Sequence, residues 1–201
     1  MPVNSSPSAY TTRASLLLRL NSAESGPREI AWEQFHDRYA PVIAGFARNL
    51  GGQPQEIDDV IQDVLVGFYA HSPAFVYDPS KGRFRGYLKV CTLRALQSRM
   101  RKRPRLKAVP LDRLQECDVE IEQVWNDVWA QEQLNRALTE VRDRYAGKKT
   151  FDAFHQHVLK ARPADHVARE LGMTIDGVRK AKQRITRALA RRLKLMQIEE
   201  G

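Results

Sequence analysis

The sequence predicts an all-α protein with two helical domains joined by a linker. Apolar residues recur every three or four positions through most of the 201 residues, and no useful length of chain alternates apolar and polar residues as a strand would. Proline and glycine interrupt this pattern where helices would end. We expect a disordered lead, a first domain, a linker and a second domain at residues 1–10, 11–103, 104–120 and 121–198.

The first domain is predicted to be a bundle of four helices. Proline in the first turn and glycine after the last turn are typical helix boundaries, and Pro27, the Gly51 and Gly52 pair, and Pro54 supply them here. Pro104 ends the last of these helices. About 90 residues of this kind bury enough surface to fold alone. The expected helices cover residues 12–20, 27–50, 54–71 and 84–103.

The second domain is predicted to contain a helix-turn-helix. The helical period is lost in the linker and returns as a helix that ends at Gly147, followed by another that stops before Pro163. Two further helices follow, with Gly172 capping the first and Thr174 beginning the second. A glycine-containing turn of this length between two helices is the helix-turn-helix pattern. The predicted buried positions of the last helix are Ile175, Val178, Ala181, Ile185, Leu189 and Leu193.

Charge is distributed in blocks along the first domain. Residues 49–80 contain no lysine or arginine, whereas residues 81–107 contain eleven basic residues and no acid. The acidic helix, with Asp58, Asp59 and Asp63, suits a basic protein surface. The basic segment suits a polyanion, and nucleic acid is the usual polyanion for a chain of net charge +9 and pI about 9.8. The sequence therefore predicts an adaptor between a protein and a nucleic acid.

The last helix is also basic. Residues 177–198 contain eight basic residues and no acid, whereas a solubilising helix usually mixes the two signs. An ordinary helical hairpin with a solvated face is the alternative. Lysine and arginine contact phosphates, and arginine and glutamine also bind base edges in a major groove. The predicted outward residues are Arg179, Lys180, Lys182, Gln183, Thr186 and Arg187.

Other classes of function find little support in the sequence. The two cysteines, Cys91 and Cys117, are too few for a disulfide framework, and no apolar run reaches the roughly 18 residues of a membrane span. A reducing cytoplasm is therefore the expected compartment, with no membrane insertion. A nuclease that binds a metal through its acidic helix would lack a second ligand cluster. His155, His157 and His166 also lack partners at metal-ligand spacing, so we expect no catalysis, metal or cofactor.

Four strings, in order and with consistent spacing, resemble one known family. They are WEQFHDRYAPVIAGFA (residues 32–47), EIDDVIQDVLVGFY (56–69), GRFRGYLKV (82–90) with RMRKR (99–103), and HVARELGMTIDGVRKAKQRITRALARRL (166–193). They are similar to sigma factors of the sigma-70 class, and within it to the small extracytoplasmic-function (ECF) group that retains only sigma domains two and four.

The resemblance implies a bacterial, cytoplasmic RNA polymerase sigma factor. Such a protein would bind the clamp helix of the largest polymerase subunit and the flap region, read the minus-ten and minus-thirty-five promoter elements, and assist melting. Its first domain would be the four-helix sigma domain two, and its second would be sigma domain four with the helix-turn-helix. An anti-sigma protein is a further partner in the resembled group, although no residue of this sequence marks its site.

The resemblance also assigns site residues. The implied polymerase-binding residues are Asp58, Asp59, Gln62 and Asp63. The implied minus-ten residues are Arg83, Phe84, Arg85, Tyr87, Lys89, Arg94, Arg99, Arg101, Lys102 and Arg103. At the minus-ten element, Phe84 and Tyr87 are candidates for stacking against unpaired bases, although aromatic residues at helical spacing more often belong to a core. The implied minus-thirty-five residues are Thr174 and the six outward residues of the last helix.

The alternative is a conventional dimeric helix-turn-helix regulator whose first domain serves as a dimerisation or sensor domain. It would bind symmetric half-sites without polymerase. The acidic helix followed by an acid-free basic one argues against it, because a sensor domain does not require that arrangement.

Overall fold

The structure, a computed structural model, describes residues 16, 19, 20, 25–71, 84–102 and 119–199. These residues form α-helices, one π-helical segment and the short turns that join some of them, and they contain no strand, so the predicted all-α class is confirmed. The predicted lead, most of the linker, Arg83, Arg103 and Cys117 lie outside the described residues. The helices are α1 (Ser25–Asn49), α2 (Pro54–His71), α3 (Phe84–Arg101), α4 (Val119–Arg144), α5 (Lys149–Phe154), α6 (Ala164–Leu171) and α7 (Ile175–Glu199), with the π-helical segment His155–Leu159 after α5.

Local signals explain the boundary between α1 and α2. Gly51 has a φ of 86°, a left-handed conformation that glycine adopts without steric cost, and Pro54 is the first residue of α2. The backbone amide of Gln53 donates a hydrogen bond of 3.0 Å to Oε2 of Glu56, which satisfies an amide at the start of the helix. These predicted helix ends are therefore confirmed.

Helices α1, α2 and α3 pack on one another in the first of two compact units, which ends at Trp129. Its centre is aromatic: the rings of Phe35 and Phe68 stack with centroids 4.9 Å apart, and Phe84 lies with its centroid 5.3 Å from that of Tyr39. All four side chains are buried. Burial of one such ring stabilises a fold by roughly 1.5–3 kcal/mol, so this cluster fixes how the three helices meet.

The beginning of α4 belongs to this first core. Ile121, Trp125 and Trp129 are buried in the same apolar cluster as α1 to α3. A β-carbon at Gly45 of α1 would lie 2.8 Å from Cγ1 of Val128, so glycine is what allows α4 to approach so closely. The two compact units therefore divide at Trp129 and Ala130, inside α4, and not before residue 121 where the sequence pattern places the second domain.

The second unit contains the end of α4, α5, the π-helical segment, α6 and α7. Ala137 and Val141 of α4 share an apolar cluster with Phe154 and with Ile185 and Leu189 of α7. A smaller cluster joins α6 to α7 through Val167, Ala168, Val178 and Ala181. Both clusters use only one side of α7, which leaves its opposite side on the surface.

Candidate protein and nucleic-acid interfaces

An acidic face lies along α2, and we use that name for Asp58, Asp59, Gln62 and Asp63. Asp59, Gln62 and Asp63 are three and four residues apart, so they share one side of the helix. Asp58, Gln62 and Asp63 are exposed and Asp59 is half-buried. The structure thus brings the four predicted polymerase-binding residues onto a surface that a protein partner can reach.

Arg99 of α3 lies against this acidic face. Its Nη1 donates to Oδ2 of Asp59 at 2.5 Å, and its Nη2 and Nε donate to Oδ2 of Asp63 at 2.6 and 3.0 Å. The hydrogen bond with Asp63, reinforced by the charges of Asp63 and Asp59, raises the pKa of Arg99 above its ordinary value. The sequence analysis assigned Arg99 to DNA, and Asp59 and Asp63 to a protein partner. In the structure Arg99 forms ion pairs with both carboxylates.

Phe84 is unavailable to DNA, which corrects its place among the minus-ten residues. Its side chain is 2% exposed and is enclosed by the rings of Phe35, Tyr39 and Phe68, so no base can stack on it. Tyr87 is 38% exposed, with one face of its ring near Phe84. Burial and a hydrogen bond with Cys91 raise the pKa of Tyr87 to about 12. Tyr87 alone of the two keeps a surface on which a base can stack.

Arg85 and Lys89 are turned toward α4 within the first unit. Arg85 donates a hydrogen bond to Oδ1 of Asn126, and its guanidinium carbon lies 5.1 Å from the ring centre of Trp129. Lys89 pairs with Glu122, and its side chain is only 13% exposed. Both cations therefore hold the beginning of α4 against α3, a role that the sequence did not reveal.

Three of the predicted minus-ten cations, Arg94, Arg101 and Lys102, are exposed. Arg101 is the last residue of α3 and Lys102 follows it, so both lie at the helix end where a cation also favours the dipole. This group is what remains of the predicted basic surface in the described part of the first unit.

The turn between α6 and α7 has the predicted geometry. Gly172 has a φ of 60°, and the amide of Met173 donates to the carbonyl of Ala168 at 2.8 Å, which closes α6. Oγ1 of Thr174 accepts a 3.0 Å hydrogen bond from the amide of Gly177 and so caps α7. Lys149 of α5 adds a 2.7 Å hydrogen bond from Nζ to the carbonyl of Leu171. These contacts define where α6 ends and where α7 begins.

The outward side of α7 carries the predicted DNA-binding residues, and we call it the recognition face: Arg179, Lys180, Lys182, Gln183, Thr186 and Arg187. All six are exposed. Lys180 pairs with Asp176 at 2.7 Å, and that hydrogen bond and charge raise its pKa above the ordinary value. Thr174, the seventh predicted residue, is exposed and caps the start of α7. The prediction for Ile175 was wrong, because its side chain is 44% exposed beside Thr174 at the helix start.

Several basic residues of α7 were not singled out from the sequence. Arg184, Arg191 and Lys194 are exposed and continue the positive charge toward the end of the helix. Arg192 differs from them: it is on the buried side, its side chain is 10% exposed, and it pairs with Glu140 of α4. The helical period predicts that Arg192 lies on the buried side, because position 192 falls three residues after Leu189 and seven after Ile185.

The histidines that the sequence analysis considered as metal ligands lie in the second unit. No group of three histidine, cysteine or carboxylate side chains among those residues could hold a metal ion. His157 donates from Nδ1 to the carbonyl of Arg162 at 2.8 Å, and His166 lies 3.7 Å from Asp165. Within the same residues, no helix is long and apolar enough to cross a membrane.

Comparison with known protein families found a match in the first unit. Residues 35–106, from the middle of α1 to just beyond α3, match the family model described as Sigma-70 region 2. No curated protein matches the chain. The match covers less than half of the sequence, so it is a likeness of the first unit to region 2 of sigma-70 proteins.

Proposed function

We propose that this protein is a sigma factor of the extracytoplasmic-function group, acting in the bacterial cytoplasm as a promoter-specificity subunit. It binds core RNA polymerase, recognises the minus-ten and minus-thirty-five elements with separate units, and assists promoter melting without catalysis of its own. The observation that carries the proposal is the match of residues 35–106 to sigma-70 region 2, in a chain whose second unit presents a basic helix-turn-helix.

The acidic face is proposed to dock on the clamp helix of the largest polymerase subunit. Its carboxylates are accessible, and its spacing fits a partner helix that lies across α2. Exposed charges of this kind steer encounter and fix register more than they add affinity, so we expect apolar contacts from α2 to contribute as well. Val66, one turn beyond Gln62 and Asp63, is 56% exposed and lies next to them on the helix.

The recognition face is proposed to enter the major groove of the minus-thirty-five element. In helix-turn-helix proteins the first residues of the second helix reach base edges, and here Arg179 and Gln183 are the side chains of the right type within the first turns of α7. Lysine and arginine residues around them would contact phosphates. The Thr174 cap and the Gly172 turn define where α7 begins.

The minus-ten surface is proposed to contain fewer residues than the sequence analysis assigned to it. Phe84, Arg85 and Lys89 serve the fold, and Arg99 contacts the acidic face. Strand capture would then rest on Arg94, Arg101 and Lys102 for phosphates and on the exposed part of Tyr87 for a base. Arg83 and Arg103 stay predictions.

A reconstitution with core RNA polymerase tests the proposal. The chain should copurify with core enzyme and direct transcription from a subset of a random promoter library. Asp63→Lys should reduce copurification at least ten-fold, because it places a cation on the acidic face. Asp37→Lys is the matched control, since Asp37 is an exposed acid on α1 of the same unit.

Two results would oppose the proposal. One is a chain that ignores core enzyme and dimerises on palindromic DNA, as the alternative helix-turn-helix regulator would. The other is equal loss of copurification in Asp63→Lys and Asp37→Lys, which would indicate a general charge effect. Circular dichroism of each variant establishes that the helices remain intact.

A further inference from the structure

The acidic face already holds a cation. The guanidinium of Arg99 donates to both Asp59 and Asp63, with three hydrogen bonds between 2.5 and 3.0 Å. The two carboxylates come from one turn of α2 and the arginine from the end of α3, so the contact is between helices. The geometry shows what this surface accepts, namely a planar cation with donors for two carboxylates at once.

The contact is solvent-accessible and therefore exchangeable. The Arg99 side chain is 26% exposed, and those of Asp59 and Asp63 are 50% and 45% exposed. An exposed ion pair changes an equilibrium by a factor of about five or less, because water and salt compete for both charges. A partner that brings its own arginine or lysine to Asp59 and Asp63 can therefore replace Arg99 with little cost.

Replacement would move only a side chain. Leu96 and Met100, on either side of Arg99, are buried in the first core and hold the backbone of α3 in place. The freed guanidinium would remain near Arg101 and Lys102, which are exposed at the same end of α3. A third cation there strengthens a phosphate-binding surface.

We propose that Arg99 is an internal competitor for the acidic face: a cationic side chain of core RNA polymerase displaces it from Asp59 and Asp63, and the released Arg99 then contacts promoter DNA. This inference rests on the proposed function and adds a coupling to it. Polymerase binding and DNA binding both depend on Arg99. In the free protein its ion pairs neutralise part of the negative charge of the acidic face and keep its own positive charge from DNA. Docking on polymerase frees the cation that the DNA requires.

The competitor role and a merely structural role predict opposite results for Arg99→Ala. If Arg99 competes, its removal exposes the carboxylates, and affinity for core enzyme rises about two- to five-fold. The same variant, once bound to core enzyme, loses promoter affinity, and the slope of log affinity against log salt falls by about one. If Arg99 instead orients the carboxylates for the polymerase, affinity for core enzyme falls.

Titrations of core enzyme with wild type, Arg99→Ala and Arg101→Ala separate these effects. Arg101→Ala is the matched control, because Arg101 is an exposed arginine two residues away that touches no carboxylate of the acidic face among the described contacts. We expect Arg101→Ala to lose promoter affinity as Arg99→Ala does while binding core enzyme like wild type. Unchanged or weakened core binding by Arg99→Ala would overturn the inference. Tryptophan fluorescence during unfolding checks that the first unit remains folded.

A second titration keeps the inference separate from the proposed function. A tetra-arginine peptide, added at low salt to the free chain, should bind Arg99→Ala more tightly than wild type, and Asp63→Asn in the Arg99→Ala background should remove the gain. If wild type ignores core enzyme but the peptide result holds, the proposed function fails and the exchangeable site remains. If the peptide does not distinguish the variants, the exchange mechanism is wrong whatever the polymerase does.

Discussion

The cations of α3 and those of α7 have different roles, although both helices are basic in sequence. On α3, Arg85, Lys89 and Arg99 each contact a side chain of another helix. On α7, Arg179 and Arg187 are exposed, with no ion pair to an acid in the described part of the chain. A basic residue is thus a candidate for contact with nucleic acid only where its side chain does not face a partner on a neighbouring helix.

Packing explains the difference. Helix α3 contacts α1 and α2 and also faces residues 119–129, so most of its perimeter is enclosed. A lysine as enclosed as Lys89 requires a partner, because burying an unpaired charge is costly. Helix α7 packs on one side only, so its opposite side can carry charge into water. The second unit is therefore the better candidate for sequence-specific DNA binding.

The largest expected effect comes from a variant that tests whether the beginning of α4 packs in the first core beside α3. Trp125→Ala should lower the free energy of unfolding of the first unit by about 3–5 kcal/mol, because it leaves a cavity beside Phe46 and Trp129. Denaturant titration followed by tryptophan fluorescence measures it, since all three tryptophans of the chain, Trp32, Trp125 and Trp129, lie in that unit.

Leu134→Ala is the control for that experiment. Leu134 is on the same helix but is 36% exposed and lies in the second unit, so its loss should leave the fluorescence transition in place. Trp125→Phe should cost less than Trp125→Ala, because its buried Nε1 has no hydrogen-bond partner to lose. A Trp125→Ala protein as stable as wild type would mean that α4 is not part of the first core.

The second prediction compares one arginine from each helix. Arg179→Ala should weaken binding to the preferred minus-thirty-five sequence by about 1–3 kcal/mol if the side chain reads a base, with little loss on unrelated DNA. Arg85→Ala should leave DNA binding nearly unchanged but lower stability by about 1–2 kcal/mol, because it removes the contacts with Asn126 and Trp129. Fluorescence anisotropy with labelled duplexes and denaturant titration measure the two quantities.

Reversed outcomes would break the comparison. A DNA defect in Arg85→Ala without loss of stability would mean that α3 releases this arginine to the template. Equal weakening of all duplexes by Arg179→Ala would make that residue a phosphate contact. Arg184→Ala is a useful third variant, because Arg184 is an exposed arginine of α7 that was not predicted from the sequence.

The helices and the recognition face could be predicted because their signals are local. Pro54, Gly172 and Thr174 mark helix ends by their own backbone preferences, and the period of Val178, Ala181 and Ile185 defines the buried side of α7. Because α7 packs on one side only, the residues on its opposite side are exposed. This prediction requires no knowledge of contacts with residues distant in sequence.

The contacts of α3 could not be predicted in the same way, because their partners are remote in sequence. Asp59 is 40 residues from Arg99, and Asn126 is 41 residues from Arg85. The composition showed an acidic block and a basic block but not that the two pack together. Likewise, the apolar pattern of α4 is continuous, so it does not tell which core receives Trp125 and which receives Val141.

The smallest expected effect concerns a cation that serves the fold of the second unit. Lys149→Met keeps the apolar stem of the side chain and removes only the hydrogen bond to the carbonyl of Leu171, at the end of α6. We expect a loss of about 0.5–1 kcal/mol in stability and faster hydrogen exchange of the α6 amides, because a helix C-terminus loses its cationic partner. Lys160→Met is the control, as Lys160 is exposed and its side chain makes no hydrogen bond or ion pair among the described residues. If Lys149→Met also weakens binding to the minus-thirty-five element while Lys160→Met does not, the turn angle set by Lys149 governs how α7 meets DNA. Unchanged exchange in α6 would instead show that Gly172 and Thr174 hold the turn without it.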